Sequence, residues 1–180
     1  YPISLSRPIS DFRIGILTIK EKWNIYFDSV SVYTEPYLQF KYPIAKKKDN
    51  IWVNSKVIPT SDLVTELKNL RVGEALSKNG EVFAIRHCDF QRDNLNIINS
   101  HAVFLSIESL TDIFTLNGIE IINDMKRLNF QKKGWCGPNK DLEKIKKNNT
   151  KIGKYCVYVD NGAKLNNISL NVSDGPIYIG

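Results

Sequence analysis

Long hydrophobic runs are missing from this sequence. Its apolar stretches, such as Ile14–Ile19, are broken by polar residues, and none approaches the ~18–20 residues that a membrane-spanning helix needs. Cysteine is scarce, limited to Cys88, Cys136 and Cys156. An odd number at these spacings makes neither a disulfide scaffold nor a Cys-x-x-Cys zinc pair. The simplest expectation is reduced thiols in a cytoplasmic protein. His87-Cys88 does not read as a catalytic pair, because neighbours on a strand point to opposite faces. Methionine is rarer still: Met125 is the only one, and position 1 is Tyr. The expectation is therefore a piece of a longer chain, with segments missing at both ends. No helix-turn-helix, zinc-finger or RNA-recognition signature is visible.

What is present fits a globular chain. Hydrophobic residues make up 42% and charged residues 24% of the 180 positions, close to the average for folded domains. A chain of this length buries roughly 70% of its unfolded surface, enough to fold without a disulfide or metal staple. The 25 basic and 19 acidic residues give +6 and a pI near 9.1, a balance that favours a phosphate-bearing partner. The basic residues cluster at Lys46–Lys48, Lys126-Arg127, Lys132-Lys133 and Lys140–Lys154. The Lys140–Lys154 stretch has no aromatic before Tyr155, unlike a nucleic-acid groove, so the clusters read as solvated loops and helix faces, and no nucleic-acid partner is expected. The Asn-x-Ser/Thr triplets at Asn148, Asn167 and Asn171 read as chance in an Asn-rich chain.

Periodicity supplies the elements. Residues 1–8, with Pro2 and Pro8, read as an extended loop. Ser10-Asp11 would cap a helix from about Phe12 to Tyr26, with Phe12, Ile16, Ile19 and Trp23 on its apolar face. Val30–Tyr33 reads as a short strand and Pro36–Lys41 as a brief helix. Ile51–Val53 reads as a buried strand, followed by a helix capped at Thr60 or Ser61 and running to Leu70. Strand, loop and capped helix in that order imply an α/β unit with parallel strands. Asn79-Gly80 between Glu74–Ser77 and Glu81–Arg86 is a strong hairpin signal. Ala102–Ile107 reads as a strand, and Leu110–Leu128 as one or two helices with a break at Gly118. Residues 130–150 read as a basic loop with partial helix. From Lys151 on, apolar pairs alternate with Gly and Asn at roughly six-residue intervals, as at the start of a β-helix. The expected domains are 1–150 and 151–180.

Ligands of open α/β sheets bind beyond the C-terminal strand ends. Arg7 and Arg13 bracket the entry to the first expected helix, where two guanidinium forks and a helix N-terminus could hold a di- or triphosphate. Alternatively, each pairs with a surface carboxylate such as Asp11. Asn54, Ser55 and Lys56 follow the Ile51–Val53 strand, and suit either hydrogen bonds to a sugar or base or an ordinary turn. Asn117 or Asp124 could supply oxygen to Mg²⁺, whereas Asp112 reads equally as a helix cap. Glu74 either contacts a substrate hydroxyl or sits on the hairpin surface.

The stretches LSRPISDFRIGILTIKEKW, NIWVNSKVIPTSDLV, GEALSKNGEVFAIR, DIFTLNGIEIINDM and LNVSDGPIYIG resemble, in this order, a family of bacterial sugar nucleotidyltransferases. That family is related to the uridylyltransferase half of the bifunctional N-acetylglucosamine-1-phosphate uridylyltransferase/glucosamine-1-phosphate acetyltransferase. The resemblance implies a Rossmann-like, three-layer α/β domain with a mostly parallel sheet, here without its first strand. It implies that a left-handed β-helix of hexapeptide repeats follows, beginning near Gly175–Gly180 and often acyltransferase-like. The implied reaction transfers a nucleotidyl group from a nucleoside triphosphate to a sugar-1-phosphate, giving an NDP-sugar and pyrophosphate with Mg²⁺. Arg7, Arg13 and Lys22 would hold phosphates; Asn54, Ser55, Glu74 and Asn117 would face substrate; Asp124 would meet the metal. The Asn54–Val57 loop falls where the wider superfamily has a Gly-Asp pair whose Asp binds Mg²⁺, and here Lys56 or a neighbour stands instead. The Gly-rich triphosphate loop would precede Leu5. A non-catalytic module supporting a β-helix, with a homotrimer formed through that helix, is the alternative.

Overall fold

The computed structural model describes residues 5–90, 94–131 and 133–180; Pro2 and Lys132 lie outside them. The chain divides into two compact units. One comprises Tyr1–Arg13, as far as it is described, with Leu17–Phe114; the other comprises Ile14–Ile16 with Thr115–Gly180. The division expected near residue 150 falls within the second unit.

The first unit opens on a 3-10 turn, Ile9–Asp11, and not on a long helix. The helix proper is α1, Ile19–Asn24. Gly15 has φ +78°, a conformation outside any right-handed helix, and Arg13 bridges to Thr18 in antiparallel fashion. Thr18 then starts α1 through a capping box. Its hydroxyl accepts from Glu21 N–H at 3.1 Å, and its own N–H donates to Glu21 Oε2 at 2.7 Å. The expected apolar spacing survives in part, since Ile16, Ile19 and Trp23 are all buried.

The helix α2, Pro36–Gln39, follows. Val30–Tyr33 is not a strand. The Gln39 side chain serves this backbone instead, donating to Val32 O at 3.1 Å and accepting from Thr34 N–H at 3.4 Å. Strand β1, Asn50–Val53, leads to α3, Ser61–Asn69, whose N-cap Thr60 accepts from Leu63 N–H. Leu63, Val64, Leu67 and Leu70 are buried as the spacing predicts. The hairpin forms from β2, Glu74–Lys78, and β3, Glu81–His87. The next strand is β4, Asn96–Asn99. Ala102–Ile107 runs beside residues 56–58 with a single bridge, Val57↔Ser106.

The sheet order is β1-β3-β2-β4. Only β2–β4 is parallel, while β1–β3 and β2–β3 are antiparallel. The mostly parallel sheet expected here is therefore mixed. The cause is local: a two-residue turn forces β2 and β3 antiparallel, and β1 joins the outer hairpin strand. β1 is also half-buried and not fully covered. Helix α4, Leu110–Thr115, follows, and the unit ends within it at Phe114.

The second unit contains α5, Asn117–Arg127, which starts after Leu116, so the break precedes Gly118. The basic segment holds a strand that the sequence reading lacks, β5, Gly134–Cys136, before α6, Leu142–Asn148. Strands β6, Thr150–Ile152, β7, Cys156–Val159, β8, Ser169–Asn171, and β9, Ile177–Ile179, follow. The order β5-β7-β9 makes one parallel sheet and β6-β8 another. The chain thus visits two parallel sheets in alternation. Ile145, Val157, Val159 and Val172 are buried between its turns, with Trp135, Leu142 and Leu170 packed against them. Gly137, at φ +124°, leaves no room for a Cβ, which would meet Val159 O at 2.1 Å.

The fold is mixed α/β with parallel sheets. Among the described residues no helix is long and apolar enough to cross a membrane.

Candidate functional site

A cavity of about 1000 Å³ opens beside β1 and β3 in the first unit. Asn54 and Ser55 line it, as expected of polar residues at the C-terminal end of β1. The Asn54 side-chain oxygen closes a turn by accepting from Lys56 N–H at 3.2 Å, and the Asn54 backbone N–H donates to Phe83 O at 2.8 Å. Lysines 20, 46 and 47 also line the cavity, with Asp49 and Glu81. Several of these charges are already compensated. Lys46 pairs with Asp89, Asp49 with Arg86 at 2.7 Å, and Glu81 with Lys56 at 3.2 Å. Hydrogen bonding from Arg86 holds the Asp49 carboxyl below its ordinary range. Among the described residues Lys20 and Lys47 have no carboxylate within ion-pair distance, so the lining keeps a positive surplus.

Ser10 lines the same cavity. It is buried, and among the described residues its Oγ is a buried side-chain oxygen with no hydrogen-bond partner. Such an orphan is uncommon and costs roughly 1–3 kcal/mol unless something arrives to bond it. The sequence suggests Ser10 only as a helix cap, which it is not.

The remaining expected site residues lie elsewhere. Arg7 sits with its guanidinium 4.8 Å over the Phe12 ring. Arg13 is exposed. The two flank a 3-10 turn, so the helix N-terminus expected between them is absent. Lys22 is completely buried within α1. None of these three lines the cavity. Glu74 accepts from Arg71 N–H at 2.7 Å in the turn that enters β2.

Asn117 and Asp124 serve the second unit. Asn117 Oδ1 accepts from Gly15 N–H at 2.8 Å, and Asp124 Oδ2 from Ile16 N–H at 2.9 Å. Arg127 reaches Asp124 Oδ1 at 2.7 Å and Glu120 Oε2 at 2.8 Å, with both carboxylates buried. A Mg²⁺ at Asp124 would have to displace a guanidinium and a backbone N–H. Among the described residues no group of three or more His, Cys, Asp or Glu gathers as a cation site. Lys56, at the loop where the resemblance implies a metal-binding Asp, lies 2.9 Å from Glu108 and 3.2 Å from Glu81. Its hydrogen bond to Glu108 raises its pKa above the ordinary lysine value.

The thiols depart from expectation in arrangement. Cys136 and Cys156 are free but buried, with their Sγ atoms 2.8 Å apart. Burial, then the neighbouring Cys136, pushes the Cys156 thiol up to about 12. Cys88 is exposed, and its Sγ lies 3.6 Å from His87 Nδ1. Strand alternation does not separate this pair, because β3 ends at His87.

No curated protein and no solved structure matches the chain. A family model described as sugar nucleotidyl transferase matches residues 1–133. With most of its length matched, and a mixed α/β fold consistent with a nucleotidyltransferase-like domain, the chain belongs to the sugar nucleotidyl transferase family.

Proposed function

We propose that this chain transfers a nucleotidyl group from a nucleoside triphosphate to a sugar-1-phosphate, with the cavity beside β1 and β3 as its substrate site. The observation that carries the reading is an orphan hydroxyl, Ser10 Oγ, in a cavity that Lys20 and Lys47 leave positively charged. A phosphate oxygen of the sugar phosphate bonds to the α-phosphorus. The bond from that phosphorus to the bridging oxygen breaks, and pyrophosphate leaves with the electron pair. Such a reaction asks a protein mainly for positioning and for neutralising charge. Lys20 and Lys47 would neutralise phosphate charge. Ser10 would donate to a phosphate or sugar oxygen, and Asn54 and Ser55 would meet the nucleotide or sugar. Mg²⁺ would be held chiefly by phosphate oxygens and water, the usual pattern for this ion with nucleotides. The resemblance alone implies phosphate contacts from Arg7, Arg13 and Lys22 and substrate contacts from Glu74 and Asn117; none of the five lines this cavity. The resemblance to uridylyltransferases makes UTP the first donor to try, with a bacterial cytoplasm as the setting.

The test is to mix the protein with labelled UTP or dTTP, a panel of sugar-1-phosphates and Mg²⁺, and to measure pyrophosphate. Release with at least one pair is expected, and its absence with every pair overturns the reading. An Arg7→Ala variant with full turnover would remove the phosphate role that the resemblance gives Arg7.

One observation favours a second reading. The second unit visits two parallel sheets in alternation, as the coils of a β-solenoid do. It would then begin a left-handed β-helix that forms a homotrimer, and the first unit would be a non-catalytic support. Pyrophosphate release separates the two readings.

A further inference from the structure

The cavity has a wall that the phosphate chemistry leaves unused. Tyr33, Trp52 and Phe90 all line it. Trp52 meets Tyr33 edge-on at 6.0 Å between ring centroids and Phe90 at 5.9 Å, while Tyr33 and Phe90 are 6.5 Å apart. The Trp52 indole N–H donates to His87 O at 3.0 Å, which fixes the ring from behind. The three rings pack against one another at ordinary aromatic-pair separations. Yet Tyr33 is 67% exposed. A large aromatic face such as that of Tyr33, open inside a concave site, is a feature of ligand pockets rather than of ordinary surface.

We infer that the Tyr33–Trp52–Phe90 wall is a stacking subsite for the base of a nucleotide, whose phosphates lie toward the lysines of the same cavity. The assignment rests on the transferase reading and adds the part of the substrate that the wall takes. Lys20 and Lys47, which keep the lining positive, disfavour a cationic ligand, the other common occupant of aromatic walls. What remains is an anion that carries a flat or apolar-faced ring. A base offers a full π-face, and stacking of this kind tolerates any base. Tyr33 supplies the open face, with Trp52 and Phe90 as its backing.

The test is calorimetric titration of UMP, AMP, pyrophosphate and glucose-1-phosphate into the wild-type chain and into Tyr33→Ala and Tyr33→Phe. Tyr33 is largely exposed, so its truncation leaves the core intact. Tyr33→Ala is expected to weaken UMP and AMP alike by roughly tenfold or more and to leave pyrophosphate unchanged. Tyr33→Phe is expected to retain wild-type affinity. Wild-type affinity for both nucleotides in Tyr33→Ala overturns the subsite, as does an equal loss for pyrophosphate. A loss confined to glucose-1-phosphate also overturns it and gives the wall to the sugar. A wild-type chain that binds none of the four removes the transferase reading together with the subsite.

Discussion

Single residues decide the most where charge is buried. Arg127 spans Glu120 and Asp124, whose side chains are almost wholly inaccessible. Burial works against the guanidinium's charge, but the hydrogen bonds and charge of Glu120, with those of Asp124, outweigh it and its pKa stands above the ordinary value. Replacing it by Met removes that compensation from two buried carboxylates, and the expected cost is about 3 kcal/mol in chemical denaturation. A smaller change at Gly15 acts on the same cluster. A Cβ there would meet Asp124 Oδ2 and Glu120 C at 2.7 Å, on a backbone at φ +78°. Gly15→Ala is expected to cost about 2–4 kcal/mol, from left-handed strain plus overpacking, and to lower the melting temperature. At the surface the scale is different. Asp49 titrates below its ordinary 3.8 because Arg86 hydrogen-bonds its charged form. A lowered folded-state pKa stabilises above the unfolded value, and that contribution disappears as pH falls through the folded one. Asp49→Asn is expected to cost under about 1 kcal/mol at neutral pH, since the pair is partly exposed. Its stability should converge with wild type in acid, which a pair of pH-dependent melting curves would show.

Whole elements were legible where chemistry and period agreed. The α3 stripe and its Thr60 cap stand as read, and so does the Asn79-Gly80 hairpin. The first helix was misread because the apolar spacing from Phe12 to Trp23 runs through Gly15. The capping box Thr18-Ile-Lys-Glu21, which marks the true start, was present in the sequence and outweighed by that spacing. Strand β4 carries no alternation, since Asn96, Ile97, Ile98 and Asn99 are all exposed, and only its partner β2 makes it a strand. The cavity was half legible. Asn54 and Ser55 follow from a strand end, but Ser10, Lys20 and Tyr33 come together through tertiary structure that no local pattern encodes. The same holds for Cys136 and Cys156, which meet because β5 and β7 are neighbours. Their burial has a chemical consequence. With native protein at pH 8, iodoacetamide should label exposed Cys88 and leave the other two unmodified until the chain is denatured, as peptide mass spectrometry would report. Labelling of Cys156 in the native state would contradict its raised pKa and its burial.

At the scale of the molecule, each unit has its own internal order. The second builds a core between turns that alternate between two parallel sheets. The first holds a mixed sheet with a concave, basic, partly aromatic flank. Family membership points to nucleotidyl transfer, and the cavity of the first unit is where charge and unfilled hydrogen-bonding capacity coincide. The most direct measurement is pyrophosphate release from a nucleoside triphosphate and a sugar-1-phosphate by the wild-type chain and by a Lys20→Met/Lys47→Met variant, with folding of both checked by circular dichroism. The cavity account predicts release by the wild type and a loss of at least about tenfold in kcat/KM in the folded double variant, the size of one missing charge-assisted phosphate contact. Equal turnover by the two proteins would place the chemistry elsewhere and contradict it.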